Sequence, residues 1–245
     1  MKLQVPETIE KSGGWCPGCG HGIILRLIAE AAEELGVSED VIIVKDVACG
    51  GMAVNATSFN LIGAAHGRPI ITAAGAKRAR PDQIVIAHAG DGSAYSIGIE
   101  STIHCALRNE NILALVVNNS VFGMTGGQMS PTTLPGQKTT SSPYGRDIGK
   151  NGHPFDVVKT LRSFDIPYLA RGTVTSPAEV IKSGRMIRKA LQKQMNGEGF
   201  CLVEILSPCP TNWHLSPEKA MVFMKEQQEK YYELGEFIDK GGNGK

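Results

Sequence analysis

A carboxylate between two glycines, Gly90-Asp91-Gly92, and a pair of amides, Asn118-Asn119, are the first groups in this chain whose types and placement suggest chemistry. Each follows a short apolar run, residues 84–87 in one case and 112–117 in the other. If the two runs are neighbouring strands, their ends present one carboxylate and one amide oxygen to a common point. Magnesium takes near-octahedral oxygen ligands, typically from one or two protein side chains, phosphate and water. A helix opening after Gly92 would aim its N-terminal N–H groups at such a phosphate. Either half alone is an ordinary strand-to-helix turn; together, in this order, they could grip magnesium and a diphosphate.

Six cysteines form the second set. Cys16-Pro17-Gly18-Cys19 has the spacing for two ligands on one metal or cluster, and zinc, thioredoxin-type and iron–sulfur centres all use it. No predicted strand precedes the motif, which argues against thioredoxin chemistry. Cys49, in Ala48-Cys49-Gly50-Gly51, and Cys209, in Ser207-Pro208-Cys209-Pro210, each lie in a loop just after a predicted strand. Cys105 falls within a predicted helix and Cys201 within an apolar strand, so both read as core residues. Four loop thiols remain, the number a cubane needs.

The elements that must position these groups alternate in type. Helical spacing of Ile23, Ile24, Leu27, Ile28, Ala31 and Leu35 predicts a helix that Gly36 ends. Strands are predicted at 41–44, 84–87, 112–117, 168–171 and 201–206, with helices at 70–79, 97–108 and 178–195. Residues 122–153 are rich in Gly, Pro, Ser and Thr and read as a long loop, usually functional or disordered at that length. The tail from Pro217 is expected to be helical, with one charged, exposed face. Short strands apolar on both faces, alternating with helices, make an α/β fold with a mainly parallel sheet. Ligands of such sheets bind beyond the carboxyl ends of the strands.

Composition narrows the function classes. With 245 residues the chain suits one domain with appendages, expected as residues 1–215 and a tail at 216–245. A net charge of +1 argues against nucleic acid and anionic membrane surfaces as partners. The start lacks the apolar run of a signal peptide, and no window approaches the roughly 20 apolar residues of a membrane span. A cytoplasmic location with reduced thiols is expected, favouring metal or redox roles for the cysteines over disulfides.

The Gly90-Asp91-Gly92 and Asn118-Asn119 pair is similar to the thiamine diphosphate signature. Further motifs narrow the likeness: Cys16-Pro-Gly-Cys19-Gly-His21-Gly, His66-Gly67-Arg68, Ser96-Ile97-Gly98, Gly123-Met124-Thr125-Gly126-Gly127-Gln128, Ser130-Pro131-Thr132-Thr133 and Cys209-Pro210-Thr211-Asn212-Trp213. Over residues 14–215 the chain resembles the β subunit of 2-oxoacid:ferredoxin oxidoreductases, and most closely their 2-oxoglutarate and 2-oxoisovalerate subgroups. The resemblance implies a parallel-sheet thiamine diphosphate-binding fold and oxidative decarboxylation of a 2-oxoacid to acyl-CoA and carbon dioxide. Electrons would pass through a 4Fe–4S cluster to ferredoxin.

By the same resemblance, the side chains of Asp91 and Asn119 and the carbonyl of Val121 bind Mg2+, and Cys16, Cys19, Cys49 and Cys209 bind the cluster. Val47, Ala48, Cys49, Gly50, His66, Gly90, Gly92, Ser93, Gly123 and Met124 lie against thiamine diphosphate, with Met124 beneath it and His66 also within reach of the reaction. His21 is expected to cap its helix, and His88 to be structural. The resemblance further implies an α subunit for the pyrimidine half of the cofactor, with γ and δ subunits for coenzyme A and ferredoxin-like functions. Two departures stand out: Ser93 where relatives often carry Asp, and Ala48-Cys49-Gly50 where many read Gly-Cys-Ser. The rival readings are a non-redox thiamine diphosphate decarboxylase or synthase subunit with structural zinc, and a non-catalytic zinc scaffold.

Overall fold

Continuous apolar runs become central strands because both their faces are covered. In the computed structural model, which describes residues 4–241, the chain runs through α1 (His21–Leu35), β1 (Val41–Lys45), β2 (Asn60–Gly63), α2 (Pro69–Ala79), β3 (Ile84–Gly90), α3 (Ile99–Leu107) and β4 (Leu113–Asn118). A two-strand ribbon, β5 (Val121–Phe122) with β6 (Gln128–Met129), and two short helices, α4 (Ile148–Asn151) and α5 (Val157–Leu161), follow. Then come β7 (Tyr168–Thr173), α6 (Pro177–Met195), β8 (Cys201–Leu206), α7 (Pro210–Trp213), α8 (Pro217–Phe223), α9 (Glu229–Tyr231) and β9 (Gly235–Asp239). Seven strands form one sheet in the order β2-β1-β3-β4-β8-β7-β9, parallel except for β9.

Helices cover the sheet on both sides. Ile24, Leu27 and Ile28 of α1 join Ile187 and Leu191 of α6 on one face. Ile70 and Ala73 of α2 join Cys105 and Ala106 of α3 on the other. Each fully buried Ile or Leu contributes roughly 1.5–3 kcal/mol. The expected helix break is present: Gly36 turns left-handed at φ 69° and donates its N–H to the Ala32 and Glu33 carbonyls. Ser176 caps α6 by accepting from the Glu179 N–H, with Pro177 in the first turn. Cys105 and Cys201 are both buried in the core.

Register decides where the strands end. Lys45 pairs with His88, Gly90 with Val117, and Asn118 with Leu206. The residues that follow, Asp46, Asp91, Asn119 and Ser207, therefore leave the sheet along one edge.

Three parts differ from the sequence expectation. The helix expected at 97–108 starts as a wide π turn, Ser93–Ile97, before α3. The 122–153 segment is packed rather than open: Arg146 is buried and donates to six carbonyls, those of Ser130, Pro131, Thr133, Asn151, Gly152 and His153. The C-terminal segment is helical only to Tyr231, after which β9 adds an antiparallel edge to the sheet. Glu236 accepts from the Tyr168 hydroxyl at 2.8 Å, and Asp239 pairs with Lys189 at 2.9 Å, which holds that edge. The ends of both expected segments, residues 1–3 and 242–245, lie outside the described residues.

Candidate functional site

The carboxyl edge of the sheet opens into a cleft of about 310 Å³. Its walls come from the loop after β1, the turn after β3 and the loop after β4. Val47, Ala48, Cys49, Gly50, His66, Gly90, Asp91, Gly92, Ser93, Asn119, Val121, Gly123 and Met124 all line it. His21, Asp46, Val117, Phe122 and Thr125 complete the lining, and sequence reasoning assigned none of these a place there.

Asp91 is 1% exposed, and burial pushes its carboxyl up to about 6, against hydrogen bonds that pull it down. The Thr132 hydroxyl donates to it at 2.5 Å and the Asn119 N–H at 3.4 Å. Among the described residues no cationic side chain is paired with it. A buried carboxylate without a counter-charge is costly, and a divalent cation removes that cost.

The two asparagines part company. Asn118 turns away from the cleft and donates to Glu204 at 3.0 Å. Glu204 in turn pairs with buried Arg171, whose other arm reaches Asp156 at 2.7 Å. Asn119 stays in the cleft wall, its side-chain oxygen accepting from the Val121 N–H at 3.3 Å. The reversal between them is made by Ser120 at φ 59°, a strained value for a residue with a Cβ. Asn118 accepts from the Ser120 N–H at 3.1 Å, and Gln228 donates to the Ser120 hydroxyl at 2.7 Å, fixing the turn.

His66 and Asp46 meet across the cleft wall. Asp46 is fully buried, neither of its oxygens has a hydrogen-bond partner, and the nearer lies 3.4 Å from His66 Nδ1. The turn carrying His66 is locked to the one after β3 because the Gly67 N–H donates to the Ser93 hydroxyl at 3.0 Å. Ser93 is thus a brace between the two turns. Gly92 packs so tightly that a Cβ there would lie 2.4 Å from the Phe122 ring.

The four loop thiols gather beside this cleft. Cys49 lies in the cleft wall, and burial pushes its thiol up to about 12, helped by Cys19, Cys209 and Cys16. Burial takes Cys19 to about 11, with Cys209 and Cys16 adding repulsion, and raises Cys209 as well. The thiols therefore feel one another electrostatically and would need nearby positive charge to become thiolates. Among the described residues no three Cys, His, Asp or Glu side chains converge on a point that would hold a single metal ion. Both indoles tie these loops to the cleft: Trp15 Nε1 donates to the Cys49 carbonyl at 2.8 Å, and Trp213 Nε1 to that of Asn119 at 3.1 Å.

His21 does not cap its helix, since Gly20 is the cap residue and no side chain bonds there. Its ring is buried in the cleft wall, 3.2 Å from Cys19 Sγ and 5.9 Å centre to centre from the His88 ring. Burial, with His88 adding to it, drops His21 to about 3, and burial drops His88 to about 4, so both rings are neutral at physiological pH.

Residues 51–205 match the family described as thiamine pyrophosphate enzyme, C-terminal TPP binding domain. The chain is 36% identical to the 2-oxoglutarate synthase subunit KorB of Archaeoglobus fulgidus, over 86% of this chain and 75% of that one. The chain belongs to the thiamine diphosphate-binding subunits of the 2-oxoacid:ferredoxin oxidoreductase family. It is also 39% identical to the ketoisovalerate oxidoreductase subunit VorA of Methanothermobacter thermautotrophicus, over 96% of this chain. It spans about half, 51%, of that relative's length. A solved 2-oxoglutarate:ferredoxin oxidoreductase from Magnetococcus marinus, with 2-oxoglutarate, coenzyme A and succinyl-CoA bound, superposes with a TM-score of 0.77. That match has 26% identity and covers 99% of this chain and 87% of the other. The family agrees with the parallel sheet and with a cleft at its carboxyl edge. Among the described residues no helix is long and apolar enough to cross a membrane.

Proposed function

We propose that this chain is the β subunit of a cytoplasmic complex that converts a 2-oxoacid and coenzyme A to an acyl-CoA and carbon dioxide, reducing ferredoxin. The observation that carries the reading is the position of Cys49, which lines the cleft and packs beside Gly123, the residue that Asn212 ties to the Cys209 sulfur. An electron acceptor held there would border the site where electrons are released.

In this reading the side chains of Asp91 and Asn119 and the Val121 carbonyl hold Mg2+. Val47 to Gly50, Gly90, Gly92, Ser93, Gly123 and Met124 enclose thiamine diphosphate, and His66 faces both it and the substrate. Cys16, Cys19, Cys49 and Cys209 hold a 4Fe–4S cluster, which takes four cysteine thiolates from loops. When bound, thiamine diphosphate supplies the carbanion stabilisation that decarboxylation needs, while the protein supplies position and electrostatics. An α subunit completes the cofactor site, and γ and δ subunits serve coenzyme A and ferredoxin.

Among the described residues no lysine or arginine lines the cleft, so this chain offers no cation there to a second substrate carboxylate. That favours an aliphatic 2-oxoacid such as 2-oxoisovalerate over a dicarboxylate. The test is the reconstituted complex with viologen as acceptor and a panel of 2-oxoacids. Brown colour near 400 nm and highest kcat/KM on 2-oxoisovalerate are expected. A colourless, iron-free complex would refute the redox reading, and preference for 2-oxoglutarate would refute the substrate assignment.

A further inference from the structure

Asn212 belongs to α7, the four-residue turn that starts directly after Cys209. The turn closes when the Trp213 N–H donates to the Cys209 carbonyl at 2.9 Å, which swings the Asn212 side chain back over the loop it has just left. Its Nδ2 lies 2.9 Å from the Gly123 carbonyl and 3.2 Å from Cys209 Sγ. An amide nitrogen carries two hydrogens, so both bonds form at once. Reversing the amide would set its oxygen against the Gly123 carbonyl, and that fixes its orientation.

The surrounding backbone is built around this side chain. Gly127 sits at φ +81°, and a Cβ there would come within 2.9 Å of Asn212 Cβ. A Cβ on Gly123 would lie 3.4 Å from Cys49 Sγ and 3.6 Å from Asn212 Nδ2. One amide therefore joins the Cys209 sulfur to the stretch of cleft wall that also touches Cys49.

We infer that Asn212 is a positioning residue that sets how readily a cluster bound at Cys209 accepts an electron, while anchoring that sulfur to the cleft backbone at Gly123. The inference rests on the cluster reading above. Hydrogen bonds to ligating sulfurs tune cluster potentials, because an N–H donor favours the more negative, reduced state. Taking up one electron adds one negative charge to the cluster and its four sulfurs, and the Asn212 N–H faces one of those sulfurs. Removing one charge-assisted bond shifts the one-electron equilibrium about tenfold toward the oxidised cluster, or about 59 mV.

The test is an EPR-monitored redox titration of the purified complex, with iron and sulfide assayed alongside. Asn212→Leu should keep full iron and lower the midpoint by the equivalent of about tenfold. Asn212→Asp, which also adds negative charge, should lower it further. An unchanged or raised midpoint with full iron overturns the inference. Loss of iron in Leu, Asp and Ser variants alike overturns it too, since Asn212 would then serve assembly rather than tuning. Wild-type complex without iron would instead refute the cluster reading.

Discussion

In the metal-free chain, replacing Asp91 with asparagine should stabilise the fold, and the size of the gain should depend on pH. Burial raises the Asp91 carboxyl from an ordinary 3.8 to about 6. Below 3.8 the group is protonated in folded and unfolded chains alike, so its burial carries no ionisation cost. As pH rises past 3.8 the unfolded chain ionises first, and stability falls until the folded group ionises near 6. Above that the loss is complete and comes to about 3 kcal/mol. Asp91→Asn removes the ionisation while keeping an acceptor for the Thr132 hydroxyl. The variant should therefore match wild type at pH 3.5 and exceed it by up to about 3 kcal/mol at pH 8. For a domain of this size that is a rise in Tm on the order of 6–12 °C. Magnesium with thiamine diphosphate should reverse the order, since ligand that binds only the folded state stabilises wild type and largely spares the variant. Thermal and urea unfolding at both pH values, with and without the two ligands, reads all of this. An equal ligand-induced gain in both proteins, or no pH-dependent gap between them, would refute the buried-cation argument.

Two further outcomes follow from packing and buried charge. Arg171→Met should cost about 3–5 kcal/mol in urea denaturation, because it strands Glu204 and Asp156 without their buried partner; adding Glu204→Gln should recover part of the loss, and full additivity would contradict the coupling. Gly67→Ala should cost at least about 1 kcal/mol, since Gly67 sits at φ +79° and a Cβ there would meet Ile97 Cγ2 at 1.6 Å. Pairing it with Ile97→Ala should ease the clash but leave the backbone penalty, which a comparison of urea midpoints would reveal.

Much of the scaffold could be read from residue order alone. Runs such as 112–117 are apolar at every position, which only a strand buried on both faces tolerates, and the structure buries all of β4. Periodicity and Gly36 placed α1 within a residue or two. The edge strands were not legible: β2 is at most half-buried along its length, and β9 sits in a charged tail. Their pairing depends on neighbours far away in the chain, such as Tyr168 with Glu236.

The site divides along the same line. Residue types and spacing determined which groups could hold a metal ion, a diphosphate or a cluster, because those chemistries demand carboxylates, amides and thiols in loops after strands. Tertiary structure alone decided which of them share a space. It sent Asn118 toward Glu204 and left Asn119 in the cleft, a choice made by one strained turn at Ser120. It brought Asp46 to His66 and set Asn212 between Cys209 and Gly123, contacts that join loops from separate strands. It also folded residues 122–153 around Arg146, whose guanidinium satisfies carbonyls that no local pattern announces. Local propensity reaches only a few residues along the chain, whereas these partners are fixed by strand order and register.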